Sequence, residues 1–192
     1  MQAKLQKELD EALGTEDDPV AMFDQVKALP YLDAVINETL RIHATSGIGL
    51  PREVPEGGMT VLGKTFPAGT VLSVPTYTLH RDKRVWGDDV EAFRPERWFE
   101  IDQNEMQKTF NPFSFGPRAC VGRNLASMEL LIIIASILRR YEFVLEDPNR
   151  PVSIAYVLYC RVSVANIFLK TVRYSGRVPA QACPVPCWNE AA

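Results

Sequence analysis

The chain has 192 residues and a formal net charge of −3, from 21 Lys and Arg against 24 Asp and Glu. That balance argues against a general nucleic-acid binder, which needs a basic surface, and 46% hydrophobic with 23% charged residues argues against disorder along the whole chain. Four Cys, unevenly spaced, make no disulfide scaffold, and the two His, His43 and His80, leave little for a zinc site.

The N-terminus lacks the apolar core of a signal peptide. Leu5, Leu9, Ala12 and Leu13 recur at helical spacing, and Gly14 is a natural stop. Asp18-Pro19 reads as a cap and a first-turn proline, opening a short helix towards Leu29. The next helix begins near Pro30, with Leu32, Val35, Ile36 and Leu40 as its apolar stripe. Glycines and prolines between 44 and 58 end it. Residues 60–63 and 70–74 read as two strands joined through Pro67-Ala-Gly69. Residues 77–100 are charged and aromatic, and 109–122 form a glycine- and proline-punctuated loop. A long apolar helix follows from Arg123 to Arg140. Its most apolar stretch, 130–138, is shorter than the roughly 20 residues that span a bilayer and reads as buried. No internal repeat or low-complexity run occurs. Beyond Asn149 charge thins out, and the chain ends in a segment holding Cys183 and Cys187.

Chemistry concentrates in the loop Phe113-Ser-Phe-Gly-Pro-Arg-Ala-Cys-Val-Gly122. It sets one Cys between two glycines, two residues after an Arg and just before a helix. A helix N-terminus presents unpaired N–H groups and partial positive charge, and Arg118 adds a full charge, so both favour a thiolate. Glycines let backbone approach a sulfur or a flat ligand closely. Without further context, a buried structural Cys would be the simpler reading.

Phe113, Gly116, Arg118, Cys120 and Gly122 together spell F-x-x-G-x-R-x-C-x-G, which resembles the haem-binding loop of the cytochrome P-450 family at all five fixed positions. The resemblance implies haem b as cofactor, Cys120 as the axial thiolate of its iron, and Arg118 at a haem propionate, since a guanidinium can bind both carboxylate oxygens. It also implies that Phe113 shields the sulfur. Glu38-Thr-Leu-Arg41, an E-x-x-R on a helix, resembles the family's K-helix pair, and Pro95-Glu-Arg-Trp98 resembles its P-E-R-F segment with Trp98 in place of Phe. By that resemblance Glu38, Arg41 and Arg97 form a buried ion-pair network. Read from spacing alone, Glu38 and Arg41 lie opposite the apolar stripe and suit a solvated surface pair. Arg52 sits where the family places a second propionate-binding Arg, and a surface strand residue is an equal reading. His80, in Leu79-His-Arg-Asp82, reads as structural. Residues 44–50 resemble the substrate-lining strand.

The implied fold is mainly α, of the α+β kind: the C-terminal, haem-proximal portion of the P-450 fold with a small β-sheet over 1–148. Residues 149–192 read as an atypical tail, disordered or mistranslated, because Val152-Ser153 is what an in-frame splice donor encodes. The implied activity is a monooxygenase that inserts one oxygen atom from O2 into a lipophilic small molecule, with electrons from an NADPH-dependent reductase and no nucleic-acid partner. The motif style resembles that of a fungal or other eukaryotic microsomal member, which implies a full-length parent at the endoplasmic reticulum membrane. The family's A-G-x-D-T-T segment does not occur among the 192 residues. The alternative is therefore a truncated, inactive haem-binding fragment lacking the oxygen-activating distal helix.

Overall fold

The structure, a computed structural model, describes residues 1–14, 20–145 and 169–174. Helices α1 (Gln2–Leu13), α2 (Phe23–Val26) and α3 (Pro30–Ile42) come first. Strands β1 (Arg52–Glu53), β2 (Met59–Val61), β3 (Lys64–Phe66) and β4 (Val71–Leu72) follow. Four short helices come next: α4 (Thr76–Leu79), α5 (Lys83–Trp86), α6 (Arg97–Glu100) and α7 (Gln103–Thr109). A single 3-10 turn at Gly116–Arg118 leads to α8 (Arg123–Arg140), β5 (Tyr141–Leu145) and β6 (Leu169–Tyr174). The mostly helical α+β class expected from the sequence is what forms, with small antiparallel sheets. Among the described residues no helix is long and apolar enough to cross a membrane. The expected cap at Asp18-Pro19 and the tail cysteines Cys160, Cys183 and Cys187 lie outside the described residues.

The chain divides into two compact units, Met1–Leu29 with Met128–Ala192, and Pro30–Ser127. In the first, α1 buries Leu5, Leu9 and Leu13 at a four-residue repeat. Ala12, expected in that stripe, is exposed, and Gln6 is buried instead. Its amide donates to the carbonyls of Leu138 at 3.1 Å and Tyr141 at 3.3 Å. Gly14 ends α1 at φ 55, and the Arg139 guanidinium donates to the carbonyls of Leu13 and Gly14, two of the orphans that a helix end leaves. Only Ala135, Arg139 and Arg140 of α8 are buried, while Ile133 is 53% exposed. The buried helix expected over 130–138 is thus corrected to a helix covered on one side. Its run is apolar all round, so the sequence held no stripe to mark the covered face. β5 pairs antiparallel with β6, Tyr141 opposite Tyr174, with an irregularity between Val144 and Leu145. Of residues 149–192, only β6 is described.

In the second unit, Pro30 opens α3 where a missing N–H costs nothing. Tyr31, Leu32, Ala34, Val35 and Ile36 are buried, and Leu40 is half-buried. Strands form at both expected places, but shorter than 60–63 and 70–74, and β3 stands between them, so the expected direct connection is corrected. β2 instead pairs with β3, with Thr60 opposite Thr65, and β4 returns to β1, with Arg52 opposite Leu72. The reason is the two-residue turn at Leu62 and Gly63, both at positive φ, 48° and 74°. That geometry matches the right-handed twist of a tight hairpin and makes Gly63 a turn residue rather than a strand end. Further on, the Asp82 and Asp102 side chains cap α5 and α7 by accepting from backbone N–H groups in their first turns. Trp86, Val90 and Met106 form a core, with Trp98, Ile101 and Phe110 packed against it.

Candidate functional site

Two parts of the second unit carry the residues that the sequence singled out. The first is a buried polar hub. Glu38 and Arg41 sit one turn apart on α3, and Arg97 opens α6; all three are fully buried. Glu38 Oε1 accepts from Arg41 Nη2 at 2.8 Å, the Arg94 backbone N–H at 2.9 Å and Arg97 Nε at 3.0 Å. Oε2 accepts from Arg41 Nε at 2.9 Å and the Trp98 indole N–H at 3.0 Å.

The guanidiniums are as fully engaged. Arg41 places its remaining donors on the carbonyls of His80, Val90 and Ala92. Arg97 places its own on Asp89 Oδ1 and the carbonyls of Trp86, Asp89 and Ala92. Each guanidinium therefore uses all five of its N–H donors inside the protein. Burial pushes the Glu38 carboxyl up, but hydrogen bonds from Arg41 and the Arg94 amide, with the charges of Arg41 and Arg97, outweigh it and hold it below the ordinary 4.5. Glu38 and Arg41 do lie off the apolar stripe. They are buried because residues 80–97 form a second layer over that side of α3, a contact that helical spacing does not reveal.

His80 completes the hub. It is fully buried, with Nδ1 3.3 Å from the Arg41 carbonyl. Its Nε2 accepts from the Asn111 backbone N–H at 3.1 Å. Trp98, Arg94, Asp89 and Asn111 are members that sequence reasoning missed. Only Trp98, the indole where the related segment has a phenyl ring, carried a visible signal, because an indole adds a donor.

The second part is the Cys loop. The Cys120 N–H donates to the Phe113 carbonyl at 2.8 Å and closes the loop on itself. Ser114 stands at φ 62 and Gly116 at φ 71, and an added Cβ on Gly116 would meet no atom within 4 Å. The Cys120 thiol is exposed, and an added Cβ at Gly122 would touch its Sγ at 3.9 Å. Phe115, Val121 and Leu125 expose their side chains beside it in sequence, while Phe113 is half-buried. Arg118 is exposed and, among the described residues, has no hydrogen-bond or ion-pair partner. Arg52 lies exposed on β1, and among the described residues its guanidinium donates only to the carbonyl of its neighbour Pro51 at 3.0 Å.

The family model for cytochrome P450 matches residues 1–157. The chain belongs to the cytochrome P450 family. Among curated proteins, a benzoate 4-monooxygenase of Aspergillus niger is 53% identical over 147 residues, 75% of this chain and 28% of that protein. A cytochrome P450 monooxygenase of Aspergillus terreus is 37% identical over 143 residues, 72% of this chain and 29% of its own length. A nematode protein of Caenorhabditis elegans named as a cytochrome P450 is 36% identical over 171 residues, 88% of this chain and 32% of its own length. The chain thus spans less than a third of the length of the curated relatives it matches.

The P450 family implies haem b, and the residues present fit it. An exposed thiol stands in a loop that two glycines leave open, next to apolar side chains that a flat hydrophobic ring could cover. Arg118 carries a charge that no carboxylate of the described residues answers, as a propionate-binding group requires.

Proposed function

We propose that these residues form the haem-proximal part of a haem-thiolate monooxygenase, which inserts one oxygen atom from O2 into a lipophilic small molecule. The observation that carries the reading is the complete F-x-x-G-x-R-x-C-x-G loop with its thiol exposed and its backbone closed by the Cys120-to-Phe113 bond. Cys120 would hold the iron through its sulfur. Arg118 and Arg52 would hold the propionates through guanidinium donors that the described residues leave unused, all of them on Arg118 and all but the one given to Pro51 on Arg52. Phe113 keeps water from the sulfur, and Gly116 and Gly122 keep the face beside it free of side chains. Haem bound through a thiolate supplies the oxygen chemistry, because that ligand pushes electron density onto iron and favours O–O cleavage. Glu38, Arg41 and Arg97 touch none of this directly. They fix the frame from which the loop projects. The electrons come from an NADPH-dependent reductase, and a full-length enzyme of this kind resides at the endoplasmic reticulum membrane.

An aromatic acid is the first substrate to try, since the Aspergillus niger relative is named for benzoate. The test is a chimera in which the matched stretch of this chain replaces its counterpart in that relative. Supplied with a reductase, NADPH and labelled O2, it is expected to put one labelled oxygen into benzoate or another lipophilic aromatic compound. A chimera that folds and loads haem, yet oxygenates none of them, contradicts the reading. A second reading, haem binding without turnover by these 192 residues, is favoured by their span of under a third of the relatives. It predicts a thiolate-type spectrum and no product from the unfused chain.

A further inference from the structure

We propose that His80 is the positioning residue that transmits the buried ion-pair hub to the Cys loop, a role that rests on the haem-thiolate reading for its purpose. The hub and the loop are far apart in sequence, with 78 residues between Arg41 and Cys120 (120 − 41 − 1). Within the second unit one imidazole links their backbones. On one side, Arg41 and His80 are tied reciprocally: Arg41 Nη1 donates to the His80 carbonyl at 2.9 Å, and His80 Nδ1 lies 3.3 Å from the Arg41 carbonyl. On the other, the Asn111 N–H donates to His80 Nε2 at 3.1 Å. The Asn111 carbonyl in turn accepts from the Ser114 N–H at 3.1 Å, and the carbonyl of Phe113, next in the loop, accepts from the Cys120 N–H.

These bonds fix the ring's chemistry. Nε2 receives an N–H and so carries its lone pair; the proton therefore sits on Nδ1 and points at the Arg41 carbonyl. A ring carrying both protons would set an N–H against the Asn111 N–H and break the bridge. The ring plane is held as well. Phe110, the residue before Asn111, lies 5.2 Å from it centroid to centroid, and Trp86 lies edge-on at 6.4 Å. No other common side chain offers a donor and an acceptor at this separation on a rigid ring, so the site selects His for its two faces rather than for its charge.

The two halves of the bridge can be separated. Gln can return an acceptor to the Nε2 position, and Asn can return a donor to the Nδ1 position. Amide hydrogen exchange in the full 192-residue chain without haem reads the bridge directly. In His80→Gln the Asn111 amide is expected to exchange as slowly as in the original chain. In His80→Asn and His80→Phe it exchanges about tenfold faster or more, the equivalent of one lost hydrogen bond. With haem added, His80→Gln keeps the thiolate-type Soret band of the reduced carbon-monoxide complex. At equal helical content, His80→Asn shifts towards the short-wavelength form of a displaced or protonated sulfur. An Asn111 amide that exchanges equally fast in the original chain and in His80→Phe overturns the proposal, as does a thiolate spectrum that His80→Asn and His80→Gln leave equally intact. If the exchange rates split as described but the original chain shows no thiolate spectrum, the haem reading falls and the bridge stands.

Discussion

The hub around Glu38 and the loop around Cys120 are built from similar residue types and are opposites in how those residues are used. Both contain arginines. Arg41 and Arg97 are fully buried and spend every donor on the protein, whereas Arg118 is exposed and, among the described residues, spends none. Both contain aromatic side chains. Trp86 and Trp98 pack against each other with centroids 5.5 Å apart, while Phe115 is half exposed. A saturated polar network has no capacity left for a ligand and can only hold structure. A loop with an exposed thiol, an unanswered cation and uncovered apolar atoms has all its capacity left. Chemistry is therefore expected at the loop and rigidity at the hub, and substitutions in the two places should fail in different ways.

The sharpest contrast comes from Glu38→Ala. Removing the carboxylate strands two buried guanidiniums and leaves the Trp98 and Arg94 N–H groups unpaired, at a cost of about 3–5 kcal/mol. Chemical denaturation should show a chain largely unfolded without denaturant. A cooperative transition near the original midpoint would mean that the hub does not hold the frame.

Acid should separate the hub's two titrating members. Burial first of all, with the charges of Arg41 and Arg81, pushes the His80 imidazole down to about 4, against hydrogen bonds to backbone carbonyls that act the other way. The unfolded chain takes up this proton near pH 6.5, and the folded chain only near pH 4. Stability is unaffected above pH 6.5 and falls between those values, by about 3 kcal/mol at most. Glu38 acts later. Its folded value lies below 4.5, so its contribution is present above that pH and is lost as the carboxylate protonates. Denaturation midpoints across pH 4 to 7 should therefore decline from about 6.5, and His80→Gln should remove most of that first limb, leaving the share of His43, whose imidazole burial and the Arg81 charge also hold below its ordinary value. A profile flat down to pH 5 would contradict the buried neutral imidazole.

Trp98→Phe restores the residue of the related family segment and removes one of five donors to Glu38. It should cost about 1–1.5 kcal/mol, read as a small shift in the denaturation midpoint, because four donors remain. Arg118→Gln should change stability least, by less than about 0.5 kcal/mol, since an exposed side chain without a partner is removed. It should instead weaken haem uptake. A destabilised chain that takes up haem as tightly as before would reverse the division between hub and loop.

Legibility in the sequence followed the range of the interactions. The Cys loop was readable because its residues stand within ten positions, and α3 because an apolar stripe and a first-turn proline are local signals. The strand bounds were misread at Gly63, where a turn of two residues at positive φ looks like the end of a strand, and the strand at 64–66 was missed. The burial of Glu38 and Arg41 was invisible to helical spacing, because the layer that covers them comes from residues 80–97. The bridge through His80 had no local signal at all, since its partners are backbone groups 39 residues before it and 31 after it. Ile133 and Ile137 were expected inside because apolar composition was read as burial, when it does not say which face finds a partner.

The central claim is that Cys120 is the ligand and the hub is the scaffold. Its most direct measurement is the spectrum of the reduced carbon-monoxide complex of the haem-loaded chain, compared with Cys120→Ser at equal helical content and equal denaturation midpoint. The red-shifted thiolate Soret band is expected in the original chain and absent from Cys120→Ser, with the fold unchanged because the thiol is exposed and bonded to none of the described residues. A Soret band that Cys120→Ser leaves in place would contradict the claim.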